Sequence, residues 1–80
     1  MEIEIHTQLK LKKIKVKTAT KGSYCVRITC ESHNGLKRSF ELVTTTMSEL
    51  LTSFRIGDVV NIVSEQGVIR RMSRGINVIC

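Results

Sequence analysis

Eighty residues, a formal net charge of +6 and no proline describe one small basic domain, and a chain this short buries only about two-thirds of its unfolded surface, which argues against a deep catalytic cleft. The positive balance favours a polyanionic partner, nucleic acid first and an anionic membrane face next. No apolar run approaches the roughly 20 residues needed to cross a bilayer, and the start Met1-Glu2-Ile3-Glu4-Ile5-His6 lacks the positive and apolar regions of an export signal, so a cytoplasmic protein free of the membrane is expected.

Apolar and polar residues alternate through residues 3–16, with a change of parity midway. Ile3, Ile5, Leu9 and Leu11 are odd, whereas Ile14 and Val16 are even. Strand side chains have a period of two, so keeping both halves on one core requires an extra residue at Lys12 and Lys13, a β-bulge and a bend of the kind that closes small barrels. Residues 18–23, with Lys21 and Gly22, then read as a loop.

Tyr24, Val26, Ile28 and Cys30 face inward on a second strand, and Leu36, Phe40 and Leu42 on a third. A two-residue turn at Asn34-Gly35 turns Phe40 to the wrong face. A three-residue loop with Gly35 left-handed instead pairs Ser32 with Leu36, Ile28 with Phe40 and Val26 with Leu42, and sets Arg27 against Glu41 and Glu31 against Lys37. Such cross-strand pairs contribute roughly 0.2–1 kcal/mol each.

A helix is expected next. Thr46 and Glu49 have the spacing of a capping box, Met47, Leu50, Leu51 and Phe54 form a one-sided apolar stripe, and Gly57 follows as the stop. Val59, Val60, Ile62 and Val63 form a mostly buried fourth strand, Glu65-Gln66-Gly67 turns the chain, and residues 68–72 form a fifth strand with Arg70 and Arg71 on opposite faces if it is regular. Ser73-Arg74-Gly75 marks another turn, and residues 76–80 form a short edge strand or a docked tail. The fold class is therefore all-β with one short helix, a five-stranded barrel in the order β-β-β-α-β-β forming a single domain over residues 1–80.

Six of the seven lysines, Lys10, Lys12, Lys13, Lys15, Lys17 and Lys21, fall within one short stretch. Alternation with the apolar residues places most of them on one side of a strand about 6.6 Å apart, comparable to successive phosphates. Lysines on an exposed strand also blunt edge-to-edge aggregation without binding anything. Arg70, Arg71 and Arg74 are a second basic group, expected to extend this rail if the last strand lies beside the first.

Phe40 and Phe54 belong to the core, and Tyr24 has inward parity, so base stacking is scarce and binding is expected to be electrostatic and salt-dependent. His6 and His33 have no nucleophile beside them, the seven acids form no catalytic pair, and no zinc or phosphate-loop spacing occurs. No enzyme, cofactor or metal is expected. Cys25 and Cys30 lie about 16 Å apart along one strand, too far to bridge, and Cys80 leaves an odd thiol, so reduced cysteines are expected.

The helix between the third and fourth strands resembles the OB-fold superfamily. Within it, Gly22-Ser23-Tyr24-Cys25-Val26-Arg27-Ile28, the Asn34-Gly35 hairpin, and Arg55-Ile56-Gly57-Asp58-Val59-Val60 followed by Gly67-Val68-Ile69 are similar to small S1-type RNA-binding barrels, including bacterial-type translation initiation factor one. The resemblance covers roughly residues 9–72 and implies that ligand crosses strands two and three, pointing to Arg27, Thr29, Lys37 and Ser39, with Lys17 and Lys21 in the first loop and Gln66 in the later one.

The expected function is non-enzymatic binding of single-stranded DNA or RNA through Lys10, Lys12, Lys13, Lys15, Lys17, Lys21, Arg27, Lys37, Arg70, Arg71 and Arg74. The competing class is a protein-interaction or self-associating barrel, with an edge near Ile76 and Ile79 and a basic surface that meets an acidic protein partner.

Overall fold

The computed structural model describes residues 2–74, in which β1 (Ile3–Thr20), β2 (Ser23–Glu31), β3 (Lys37–Thr44), β4 (Val59–Glu65) and β5 (Val68–Arg74) close a barrel in the order β1-β2-β3-β5-β4. One helix, α1 (Met47–Ser53), lies between β3 and β4. Five strands and one helix thus follow one another as the sequence predicts.

β1 is long enough to serve two neighbours. Its first part pairs with β4, from Ile3↔Glu65 to Lys10↔Val59, and its second with β2, from Lys10↔Glu31 to Thr20↔Ser23. The strands are antiparallel throughout except at the seam between β3 and β5, where a parallel bridge, Glu41↔Val68, is reinforced by the Glu41 N–H donating to the Gly67 carbonyl at 2.8 Å.

The pairing stacks side chains into rows. Leu11–Cys30, Ile14–Ile28–Phe40 and Val16–Val26–Leu42 face inward. With Leu9, Leu50, Val60, Ile62 and Ile69 they build a single core, and each fully buried aliphatic side chain contributes about 1.5–3 kcal/mol. Val16 is the weak member. It remains exposed and outside the buried cluster because, among the described residues, β1 has no second neighbour at that level.

The bend predicted at Lys12 and Lys13 is present as a register shift between Leu11 and Lys13 that keeps Leu11 and Ile14 on the core. Two further shifts occur in β1, between Val16 and Thr18 and between His6 and Leu9. The last overturns an expectation, since Ile3 and Ile5 point outward, 64% and 71% exposed, instead of joining Leu9 and Leu11 inside. Gln8 adopts φ 59° and its N–H donates to the Asn61 Oδ1 at 3.1 Å, so the strand passes an extra residue and reverses its faces. His6 takes the inward position, its ring centroid 5.1 Å from that of Phe40.

The β2–β3 hairpin has the predicted register at every pair, including Ile28↔Phe40, Val26↔Leu42 and Arg27↔Glu41. Ser32 N–H donates to the Leu36 carbonyl at 2.8 Å, and Gly35 sits at φ 87°, a left-handed conformation that a side chain disfavours. Leu36, expected inside, is 64% exposed because it closes the loop beyond the last core row. The first loop is also shorter than expected. β1 continues to Thr20, and a two-residue turn, Lys21-Gly22, joins it to β2.

In α1 the expected capping box does not form. Thr46 makes no side-chain cap bond and sits at φ −123°, ψ 64°, away from the extended geometry that aims a cap hydroxyl at the helix amides. Its own N–H donates to Thr44 Oγ1 at 3.1 Å. Leu50 is buried, and Met47 and Phe54 pack against the core, while Leu51 faces solvent. The helix ends at Ser53, before Gly57, which instead serves a turn at φ 99° where the Asp58 N–H donates to the Arg55 carbonyl at 2.9 Å.

β5 runs through Arg74, so Ser73 and Arg74 belong to the strand and not to a turn. Its register with β4 shifts between Val63 and Ser64, whose partners are Arg71 and Ile69. Arg70 is therefore an extra residue, and both Arg70 and Arg71 are exposed where a regular strand would oppose them. The proposed turn at Gly75 and the edge at residues 76–80 lie outside the described residues. Cys25 and Cys30 are both free thiols. Burial pushes the Cys30 thiol up to about 11, which leaves it protonated and inert at neutral pH.

Candidate nucleic-acid interface

The rows that alternate with the core rows face outward across β1, β2 and β3. They are Lys10–Glu31–Lys37, Lys13–Thr29–Ser39, Lys15–Arg27–Glu41 and Thr18–Cys25–Val43. Directly opposed residues in an antiparallel sheet share a face, so Lys10, Lys13, Lys15, Arg27 and Lys37 are brought onto one surface. All five are exposed. The hydroxyls of Thr29 and Ser39, 3.1 Å apart, lie among them.

Lys12 and Lys17 fall at the two bulges of this half of β1 and turn to the acids of the same surface. Lys12 Nζ lies 3.8 Å from Glu31, and Lys17 Nζ donates to Glu41 Oε2 at 2.5 Å. The Lys17 hydrogen bond and charge, with a smaller contribution from Arg27, hold the Glu41 carboxyl below its ordinary range. Lys21 sits at the tip of the β1–β2 turn. With Lys12 and Lys17 the outer rows hold seven cations against the two carboxylates of Glu31 and Glu41, Lys21 adds an eighth at the turn, and the excess remains strongly positive.

The second basic group does not lie beside the lysines of β1, and its strand meets the outer face only at the Glu41↔Val68 bridge of β3. β5 has β3 and β4 as neighbours, and β4 separates it from β1. The expectation of adjacent first and last strands fails because sheet order differs from chain order. Arg71 lies opposite Val63, whose other partner is Ile5, on a different side of the barrel. Arg70 Nε is 3.2 Å from Glu65 Oε1, and Arg74 is 3.2 Å from Asp58 Oδ2. A backbone N–H from Arg55 and the Arg74 guanidinium hold the Asp58 carboxyl below its ordinary value.

Tyr24 pairs with Ala19 and Thr44 in an inward row and packs against the core, so it offers no ring to the outer surface. Gln66, in the two-residue β4–β5 turn at φ 53°, precedes Gly67, whose carbonyl accepts from the N–H of Glu41, so this turn borders the row Lys15–Arg27–Glu41 of the outer face. One feature escaped the sequence. Where β1 passes from β4 to β2, Gln8, Lys10, Glu31, Ser32, His33 and Val59 line an open depression of about 390 Å³. It joins three separate segments, and no local spacing announces it.

No protein-family model, curated protein or solved structure matches this chain. No helix among the described residues is long and apolar enough to cross a membrane.

Proposed function

We propose that this protein is a non-enzymatic OB-type barrel that binds single-stranded DNA or RNA in the cytoplasm, along the outer face of β1, β2 and β3. The observation that carries the reading is the shared face of Lys10, Lys13, Lys15, Arg27 and Lys37. Lysine and arginine on a strand surface meet a phosphate backbone without reading its sequence, and the Thr29 and Ser39 hydroxyls add neutral donors between them. The same part of the barrel carries ligand in the superfamily this chain resembles.

Fluorescence anisotropy with labelled single strands at several salt concentrations tests it. Each phosphate contact to a single strand contributes about −0.7 to the slope of log affinity against log salt, so five engaged cations give a slope of about −3.5. No binding at low salt, or binding indifferent to salt, removes this reading.

A second reading has its own observation. Ile3 and Ile5 are exposed on the part of β1 that has β4 on one edge and, among the described residues, no strand on the other before Lys10, an edge that favours strand addition by another chain. Sedimentation equilibrium is expected to give a mass that rises with concentration if copies associate there. A constant monomer mass rejects self-association.

A further inference from the structure

The outer surface carries an acid whose acceptors are not spent. Glu31 is only 28% exposed and its nearest cation, Lys12 Nζ, is 3.8 Å away, beyond hydrogen-bond range. Among the described residues no side-chain hydrogen bond reaches its carboxylate. A carboxylate in the path of a phosphate backbone opposes binding unless it meets a donor. Glu31 lines the depression with Lys10, Gln8, Ser32, His33 and Val59, at the end of the cationic face.

The depression exists because of two backbone events. Gln8, at φ 59° and held by Asn61, swings β1 away from its regular course, and Lys10 is the residue where β1 exchanges β4 for β2. A notch is left between the end of β2 and the start of β4. Its volume of about 390 Å³ falls within the range of small-ligand sites. Lys10 belongs both to this notch and to the outer row Lys10–Glu31–Lys37, so a strand following the lysines arrives at its mouth.

Resting on the nucleic-acid reading above, we propose that this notch takes one unstacked guanine from the bound strand. Among the four bases only guanine presents two adjacent donors, N1–H and the N2 amino group, on its pairing edge, and a carboxylate accepts both in parallel. Adenine, cytosine and uracil each set at least one acceptor against Glu31. The Lys10 ammonium supplies the donor suited to guanine O6 and N7. The His33 imidazole and the Val59 side chain provide the flat and apolar surfaces that an unstacked base needs. The phosphate face would then fix the strand and the notch would fix its register.

The test compares oligouridine with the same oligomer carrying one guanosine, and with one carrying inosine at that place, by anisotropy titration. The guanosine oligomer is expected to bind about tenfold more tightly than oligouridine, and inosine, which lacks the N2 amino group, to lose most of that gain. Glu31→Gln offers one acceptor where the carboxylate offers two and is expected to bring the guanosine preference close to unity. Its affinity for oligouridine should rise slightly, because a negative charge has left the cationic surface.

Oligouridine binding with no guanosine preference, or with a preference that inosine and Glu31→Gln both retain, overturns the guanine site and leaves the phosphate-face reading standing. No binding of any oligomer overturns both together. The inosine comparison uses only the wild-type protein, so the result does not depend on how the variant folds.

Discussion

Phe40→Ala is expected to remove about 3–5 kcal/mol of folding stability, much of the roughly 4–12 kcal/mol available to a domain of this size. Phe40 is 2% exposed and stands in the inward row with Ile14 and Ile28. It also organises its surroundings. The His6 ring lies 5.1 Å from it at a tilt of 57°, and the Arg38 guanidinium sits 5.7 Å from its centroid while reaching Glu4 at 3.3 Å. Truncation therefore leaves a cavity and also frees the contacts that tie the start of β1 to β3. Urea unfolding followed by circular dichroism measures the loss. Leu36→Ala, four residues away on the exposed loop, should cost less than about 0.5 kcal/mol. Equal effects for the two substitutions would contradict the observed placement of Leu36 outside the core.

The second large effect concerns charge. Converting Lys13, Lys15 and Arg27 together to glutamate places three acids at the centre of the outer face while touching no core row. Losing three phosphate contacts should make the salt slope about 2 units shallower, and the added repulsion should bring single-strand affinity at low salt close to undetectable. The matched control converts Arg70, Arg71 and Arg74 to glutamine. These residues lie on the far side of β4 from β1, and Arg70 and Arg74 already have carboxylate partners, so the slope should change by less than about 1. The opposite ranking of the two variants, with unfolding midpoints unchanged, would relocate the interface to β4 and β5.

Much of the barrel was legible because local patterns carried it. The parity change between Leu11 and Ile14 marked a real bulge, and the combined apolar and charge pairing of β2 with β3 fixed the hairpin register. The clustering of lysines also translated correctly into a shared face, since one regular parity in β1 placed Lys13 and Lys15 opposite Thr29 and Arg27. Other features had no local signature. Ile3, Ile5, Leu9 and Leu11 keep one parity in the sequence, yet the reversal at Gln8 depends on a hydrogen bond that its N–H donates to Asn61, distant in the chain.

Capping was misread for a related reason. Thr46 and Glu49 have the right spacing, but the exit of β3 sets the Thr46 backbone and brings Thr44 to its N–H. In β5, Ile69 and Met72 are three apart, an odd spacing that did hint at the extra residue at Arg70. The position of β5 between β3 and β4, and with it the separation of the arginines from the lysines, follows from ring order, which chain order does not encode. The guanine notch lies furthest from any sequence signal, being made where three segments meet.

Ile3 finds its partner at Glu65, so the first half of β1 is completed only by the fourth strand. During synthesis β2 and β3 can fold as a hairpin against the second half of β1 as soon as they emerge, but the ring stays open until both β4 and β5 have left the ribosome. Folding of this kind, dominated by distant contacts, is slow relative to helical domains of equal length. Through that interval the first half of β1, with Ile3 and Ile5, has no partner strand, and acidic residues such as the adjoining Glu2 and Glu4 are of the kind that discourages edge-to-edge association.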